Sequence, residues 1–467
     1  MVVGENGEVT AGDTTEAAII EALIKAGTYQ VADAVGLDLD YENKVYIRTQ
    51  EATDRSAGEA FNRYSMFGGR MRCNVSDNGA ITAWYGDANY RDDGSNGQVM
   101  VYQPKFYYQR VPISYVGSGS GRIIRHEALL LSAAPLSGFK LHPLFKNEDD
   151  EEVNYVLLPA YDGGLYDTSA GAYSIDDSAI ADYEVDKLSS VAGVKPVSGK
   201  NHKLTLLAAE QLAQNRGKGW HITNMRAESA NQMLMMVEYG TPNLQVAIEN
   251  GLTQLNSNLS YNCAATTGST SELGNTTGHA SVTSQLINDT LTTYTNPGQR
   301  AVSYRGMENP WGNIWHYLGD VIVSGNGNNQ GGVPYICNSY NWTPNSLDGY
   351  TSIGFNLPNS QDAYISAFGY GNTTLDWVYL PAEVNSSANN TLPIGDTLWT
   401  TASLRGNHIM TGSGPWNFGD KSGPFQYSCD YDYTTSARNY GAKLMFIPEV
   451  NSTYTVNYNK WLQKVGG

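Results

Sequence analysis

Four cysteines, Cys73, Cys263, Cys337 and Cys429, and seven histidines, His126, His142, His202, His221, His279, His316 and His408, are the side chains best suited to hold a metal or act as a nucleophile or base. The cysteines are too dispersed to form a CxxC knuckle or a dense disulfide scaffold, so four buried free thiols are expected. No HxxxH or comparable ligand spacing occurs among the histidines. The stretch Gly117–Gly121 is a Gly/Ser turn without the lysine of a phosphate loop, and no GxSxG nucleophile elbow is present. The acidic run Glu148–Glu152 offers paired carboxylates of the kind that hydrolyse glycosides, but it reads more simply as a solvated loop. Asp- and Asn-rich loops suit calcium in general, yet no EF-hand spacing marks a site, so metal binding stays open. A non-catalytic chain without a cofactor is therefore expected.

Residues suited to binding are concentrated near the C-terminal end. Between Arg405 and Ala437 stand Asn407, His408, Trp416, Asn417, Phe418, Asp420, Phe425, Tyr427, Asp430, Tyr431 and Tyr433, with little aliphatic content. Tyr and Trp give large contact area at small entropic cost, and Asn, Ser and Gly give adaptable hydrogen bonding, which is the chemistry of a paratope. A second patch holds Tyr335, Asn338, Tyr340, Asn341 and Trp342. Aromatic rings stack on sugars as readily as on proteins, so composition leaves the ligand open. The same rings could instead pack the loops on one another or on a neighbouring subunit.

Several elements must position these groups. The 467 residues carry 41% hydrophobic and only 16% charged residues, with 49 glycines, which predicts an ordered chain of many short strands and turns. A formal net charge of −17 disfavours nucleic-acid binding, which needs concentrated Lys and Arg. No apolar run is long enough to insert in a membrane, and Met1 precedes acidic, Gly-rich sequence rather than an export leader. Strand-like runs occur at Lys44–Arg48, Ala80–Tyr85 and Val99–Arg110. Amphipathic helices are predicted at Asp13–Gly27, Thr205–Arg216 and Arg226–Tyr239, the last with Ala230, Met233, Leu234 and Val237 on its apolar face. The first would be marginal alone and must dock on its own chain or on a partner. Residues 250–300, rich in Asn, Thr, Ser and Gly, read as a long surface excursion.

Three segments, in order, resemble the formylglycine-generating-enzyme branch of the C-type lectin fold. The helix after Gly219-Trp220-His221-Ile222-Thr223 resembles that family's helix in position and length. The best match, Tyr304-Arg305-Gly306-Met307-Glu308-Asn309-Pro310-Trp311-Gly312-Asn313-Ile314-Trp315-His316-Tyr317, resembles its Gly-Asn-Val-Trp-Glu-Trp strand and approach. Leu404-Arg405-Gly406 and Ala437–Ile447 resemble its Arg-Gly-Gly-Ser-Trp turn and final strand. The segments Asn96–Tyr108, Lys195-Pro196 and Leu212–Gly217 also look like lectin-fold tail proteins of gut-associated phages and prophages. The enzymes of that branch need a close cysteine pair for copper or a His and Tyr iron site, and neither pattern is here.

The resemblance implies an α+β, β-rich C-type-lectin-like domain with two amphipathic helices and long loops, preceded by a small N-terminal element. The implied organisation is an attachment or oligomerisation element over 1–45 and a β-rich connection over 46–96. A lectin-like domain follows over 97–450, with ligand-facing loops at 325–350 and 405–436, and then a tail over 451–467. Strand Val99–Arg110 would pair with the last strand. The implied function is a phage tail fibre or tail-tip adhesin that is made in the host cytoplasm and built into the virion. It would bind a host surface glycan or protein alongside other virion proteins, as a homo-oligomer for which a trimer is the analogue. The alternative is a structural or decoration protein of the virion without a host ligand, and an oxidoreductase comes third.

Overall fold

The computed structural model describes residues 2–3, 9–10, 32–118, 121–175, 180–199, 203–255, 262–285, 291–401 and 403–450. The predicted helix Asp13–Gly27 and the tail 451–467 lie outside the described residues. The chain is predominantly β-sheet with few helices, a β-rich α+β architecture. A 14-stranded sheet and a six-stranded sheet carry most of it.

The predicted strand Val99–Arg110 is in fact two strands in different sheets. Gln98–Pro104 belongs to the six-stranded sheet and Tyr107–Val116 to the 14-stranded one. Pro104 has no N–H to donate to a ladder, and Lys105 instead donates its N–H to Asn154 O at 2.9 Å, so the chain changes partners there. Every residue of Gln98–Pro104 is buried: Val99 and Val101 enter one core cluster, and Met100 and Tyr102 enter another. A strand covered on both faces shows no polar alternation in sequence.

The expected pairing of that strand with the last one also fails. Leu444–Phe446 pairs with Trp220–Ile222 and with Tyr155–Pro159, and it is Tyr155–Pro159 that then pairs with Gln98–Pro104. The intervening strand is buried throughout and follows the acidic run, so no turn or alternation announced it.

Helix Leu206–Gln214 forms as predicted, with the Thr205 side chain accepting from Ala208 N–H. It buries Leu206, Ala209, Leu212 and Ala213 and leaves Leu207 exposed. Helix Met225–Tyr239 begins at the Asn224 cap and ends at Gly240, whose φ of 71° suits a glycine. Ala230, Met233, Leu234 and Val237 are buried as expected, but the helix is not amphipathic: 14 of its 15 residues are buried. It lies in the largest core cluster, which also takes Val101 and Val156 from the six-stranded sheet and Leu129, Leu318 and Ile365 from the larger one. Its polar residues are paired instead of solvated. Arg226 meets Asp320 at 3.3 Å, Glu228 meets His316 at 2.9 Å and Asn231 accepts from Arg70 at 2.8 Å. Gln232 donates to the Tyr427 hydroxyl at 2.7 Å, and Glu238 meets Arg305 at 2.7 Å.

Residues 34–50 are integral to the large sheet, because Ala34–Asp40 pairs along Arg122–Ser132 on one side and Val45–Gln50 on the other. Met71–Val75 and Ile81–Trp84 complete the six-stranded sheet. The described residues of the 250–300 stretch are less superficial than expected. Leu252, Leu255, Cys263, Ala264, Ala265 and Val282 build a small core with Ile314 and Trp416, while Gly278–Gln285 pairs with Leu291–Tyr294 and Arg300–Tyr304. All four cysteines are buried thiols outside any disulfide, as expected.

Candidate recognition surface

The strand Trp315–Asn326 organises this surface. Its approach is a tight turn at the Gly-Asn pair: Gly312 has φ 82° and Asn313 φ 66°. A side chain at Gly312 would run into the Leu252 backbone. Asn313 fixes the turn by donating to Asp162 at 2.7 Å and accepting from Ala265 N–H at 2.7 Å.

Successive side chains of a strand alternate between faces. His316 and Asp320 point to the central helix, where they meet Glu228 and Arg226. Trp315, Tyr317 and Gly319 share the opposite face, and each is covered by an aromatic from a different part of the chain. Phe418 packs edge-on against Trp315 with centroids 5.7 Å apart. Tyr440 does the same to Tyr317 at 5.8 Å, and Tyr431 to Tyr440 at 5.5 Å. Trp342 lies so close over Gly319 that a Cβ there would sit 2.6 Å from its ring. Tyr433 packs on the same cluster. One strand face thus unites the two patches read from sequence. Tyr431 is 44% exposed, Trp342, Phe418 and Tyr433 are half-buried, and Asn417 is exposed.

Other expected surface residues are core. Trp416 is 0% exposed and packs with Leu252 and Ile314. Phe425 sits against Phe368 at 4.9 Å, Tyr427 accepts from Gln232, and Tyr340 lies 5.2 Å from His221 beneath the Arg226 guanidinium. In a region poor in aliphatics, aromatic rings must fill the interior as well as the surface, and composition does not separate the two roles. Arg405–Gly412, expected to open a loop, is a strand. Within it Asn407 pairs with Ser324 and His408 with Val323. Alternation puts His408 on the face away from Ile409, with its Nε2 donating to Arg405 O at 2.9 Å. Asp420 holds its turn in place, accepting from the Tyr364 hydroxyl at 3.2 Å and from Asn390 at 2.8 Å. Asp430 is half-buried, and its pKa is pushed up to about 6 by burial and by Asp362, against the pull of His408.

Asn338, Ser339 and Tyr340 line a cavity of about 240 Å³ with Glu148, Arg226 and Trp377. Next to it is a grouping that sequence reading missed. Buried His221 donates from Nδ1 to Glu210 at 2.7 Å and from Nε2 to Glu148 at 2.9 Å, so the ring is an imidazolium. Burial works against that charge, but the two carboxylates outweigh it and raise the pKa from 6.5 to about 9. Glu210 lies on helix Leu206–Gln214 and His221 on strand Trp220–Ile222, while Glu148 comes from 73 residues before His221. A folded-state pKa above the ordinary value means that this stabilisation is complete below about pH 6.5 and is lost as pH rises through about 9, on the order of 3 kcal/mol. Denaturant titrations from pH 6 to 10 should show that loss, and Glu210→Gln should flatten it; equal slopes in both proteins would refute the assignment.

Ser413, His316 and Glu228 resemble a nucleophile–base–acid trio only in composition. Ser413 Oγ at 3.3 Å and Glu228 Oε1 at 2.9 Å both approach Nε2 of His316, whereas a relay uses both ring nitrogens. Ser413 is also fully buried. Among the described residues no group of three or more His, Cys, Asp or Glu is placed to hold a metal ion, and no helix is long and apolar enough to cross a membrane.

No family model matches the chain, and no curated protein matches it. Among solved structures it is similar to the Major Tropism Determinant M1 variant, at 13% identity and TM-score 0.28, over 81% of this chain and 73% of that one. It is also similar to the P3c and U1 variants, each at 12% identity and TM-score 0.27. Those two matches span 86% of this chain and 77% and 78% of theirs.

Proposed function

We propose that this chain is a bacteriophage virion protein, a tail fibre or tail-tip adhesin, that binds a host cell-surface receptor through aromatic and Asn-bearing loops of a C-type-lectin fold. The observation that carries the reading is the gathering of Trp342 and Phe418 on one strand face, with Tyr431 against the Tyr440 that covers it and Tyr433 on the same cluster, each partly exposed and each from a loop. Half-buried rings on a rigid sheet are held in place before a partner arrives, which lowers the entropic cost of contact. The motif around Gly312 and Trp315 that resembles the lectin-fold family builds that strand. The receptor is a glycan or a protein, and a homo-oligomer, with a trimer as the analogue, would add avidity to weak single contacts.

The burial of Trp416, Phe425, Tyr427 and Tyr340 favours a second reading, a structural or decoration protein of the virion whose loops serve packing. The two readings separate in one experiment. Purified labelled chain is titrated onto intact cells of candidate hosts, before and after removal of surface polysaccharide. Saturable binding supports the adhesin, and its loss on stripping identifies a glycan receptor. Absence of saturable binding across the panel favours the structural role.

A further inference from the structure

The three-stranded sheet of Gly164–Asp167, Ala172–Tyr173 and Lys187–Ser189 forms one wall of a cavity of about 640 Å³, whose lining includes none of Trp342, Phe418, Tyr431 and Tyr433. Tyr166 is directly opposite Tyr173 on one side and Lys187 on the other, so a single cross-strand row presents two rings and an ammonium to the cavity. The rings meet edge to face, with centroids 5.0 Å apart at 67°. Asp77, Asp93, Gln98 and Arg216 complete the lining.

The polar groups of this wall are held rigidly. The Arg216 side chain is 4% exposed. It donates to Asp77 at 2.5 Å, to Ser189 Oγ at 2.6 Å and to Leu188 O. Lys187 donates to the other oxygen of Asp77 at 2.8 Å, so one carboxylate fixes both cations. Gln98 accepts from Ser190 N–H at 2.8 Å and donates to the Tyr173 hydroxyl at 3.4 Å. Asp93 accepts from Ser95 N–H at 2.9 Å and from its hydroxyl at 2.6 Å. Gly94 lets the Tyr173 ring pack directly on the backbone, because a Cβ there would fall 2.3 Å from the tyrosine hydroxyl.

We infer that this cavity is a binding site for a neutral saccharide unit. Two cations, Lys187 and Arg216, face two carboxylates, Asp77 and Asp93, so the lining has no net charge with which to select an anion or a cation. Tyrosine faces match the C–H face of a pyranose ring, and the fixed donors and acceptors at the rim match its hydroxyls. The volume falls in the range of about 300–1,000 Å³ common to small-molecule sites. A lipid would have to bury the Asp77 ion pairs without compensation. This site does not depend on the adhesin assignment.

The test is saturation-transfer NMR on the full chain with galactose, lactose, cellobiose and diacetylchitobiose. At least one of these should show saturable transfer below about 20 mM. Tyr166→Ala and Tyr173→Ala should each weaken that binding at least about tenfold. Tyr166→Trp, which keeps a stacking face, should retain it and guards against a merely unfolded variant. Tyr431→Ala should leave it unchanged. Failure of every probe, binding by the Tyr166→Ala and Tyr173→Ala proteins as tight as by the unaltered chain, or loss only in Tyr431→Ala would each overturn the inference.

Discussion

Glu238→Ala is expected to destabilise the protein by about 3–5 kcal/mol, read by equilibrium denaturation. The Glu238 side chain is fully buried near the end of the central helix. One oxygen accepts from Arg305 at 2.7 Å and Gly58 N–H at 2.9 Å, and the other from Arg305 Nε at 2.8 Å and the Tyr304 hydroxyl at 2.9 Å. Arg305 in turn donates to Asn62 at 2.8 Å, Phe67 O at 3.1 Å and Gly58 O at 2.9 Å, so the pair ties the helix to residues 58–67. Truncating the carboxylate leaves a guanidinium charge buried without a counterion, and that residual charge, more than the lost attraction, sets the cost. Glu238→Met combined with Arg305→Met should therefore recover much of the loss. A double variant as unstable as Glu238→Ala would show that the hydrogen bonds, not the charge, dominate.

Trp416→Ala should cost a similar amount, about 3–5 kcal/mol, for a different reason. The indole is the largest side chain of the small core that joins the 250–300 region to the turn at Asn313, whose carbonyl accepts from Trp416 N–H at 3.1 Å. Removing it opens a cavity that the flanking Leu252 and Ile314 cannot fill. Tyr431→Ala, in contrast, should change stability by less than about 0.5 kcal/mol, as is usual for an exposed site. Melting curves of the two single variants give the comparison directly; equal losses would mean that Tyr431 is also structural.

Local rules reached some of this molecule and not the rest. The positions of helices Leu206–Gln214 and Met225–Tyr239 were legible, because apolar spacing is a signal local to a few turns of chain. The environment of helix Met225–Tyr239 was not. Its apolar spacing is that of a half-buried helix, and only the tertiary placement of Asp320, His316, Arg70 and Arg305 reveals that its polar face is also buried. Strand Tyr155–Pro159 escaped because a strand buried on both faces has no alternation.

The candidate surface divides along the same line. Residue types mark the region as aromatic and Asn-rich, but whether a ring there faces solvent depends on which cluster it meets. Trp416 and Phe418 are two residues apart, yet Trp416 enters the small core and Phe418 covers Trp315. The saccharide cavity was invisible because Tyr166, Tyr173 and Lys187 converge only through cross-strand pairing.

The exposed side chains around Tyr431 are the proposed binding surface, and their removal tests it. Binding isotherms to receptor-bearing cells are compared for the intact chain and for a variant carrying Asn417→Ala, Tyr431→Ala and Tyr433→Ala, with thermal melting recorded for both. The expected result is at least about a hundredfold loss of apparent affinity, close to 3 kcal/mol, with little change in melting. Unchanged binding by a folded variant would contradict it.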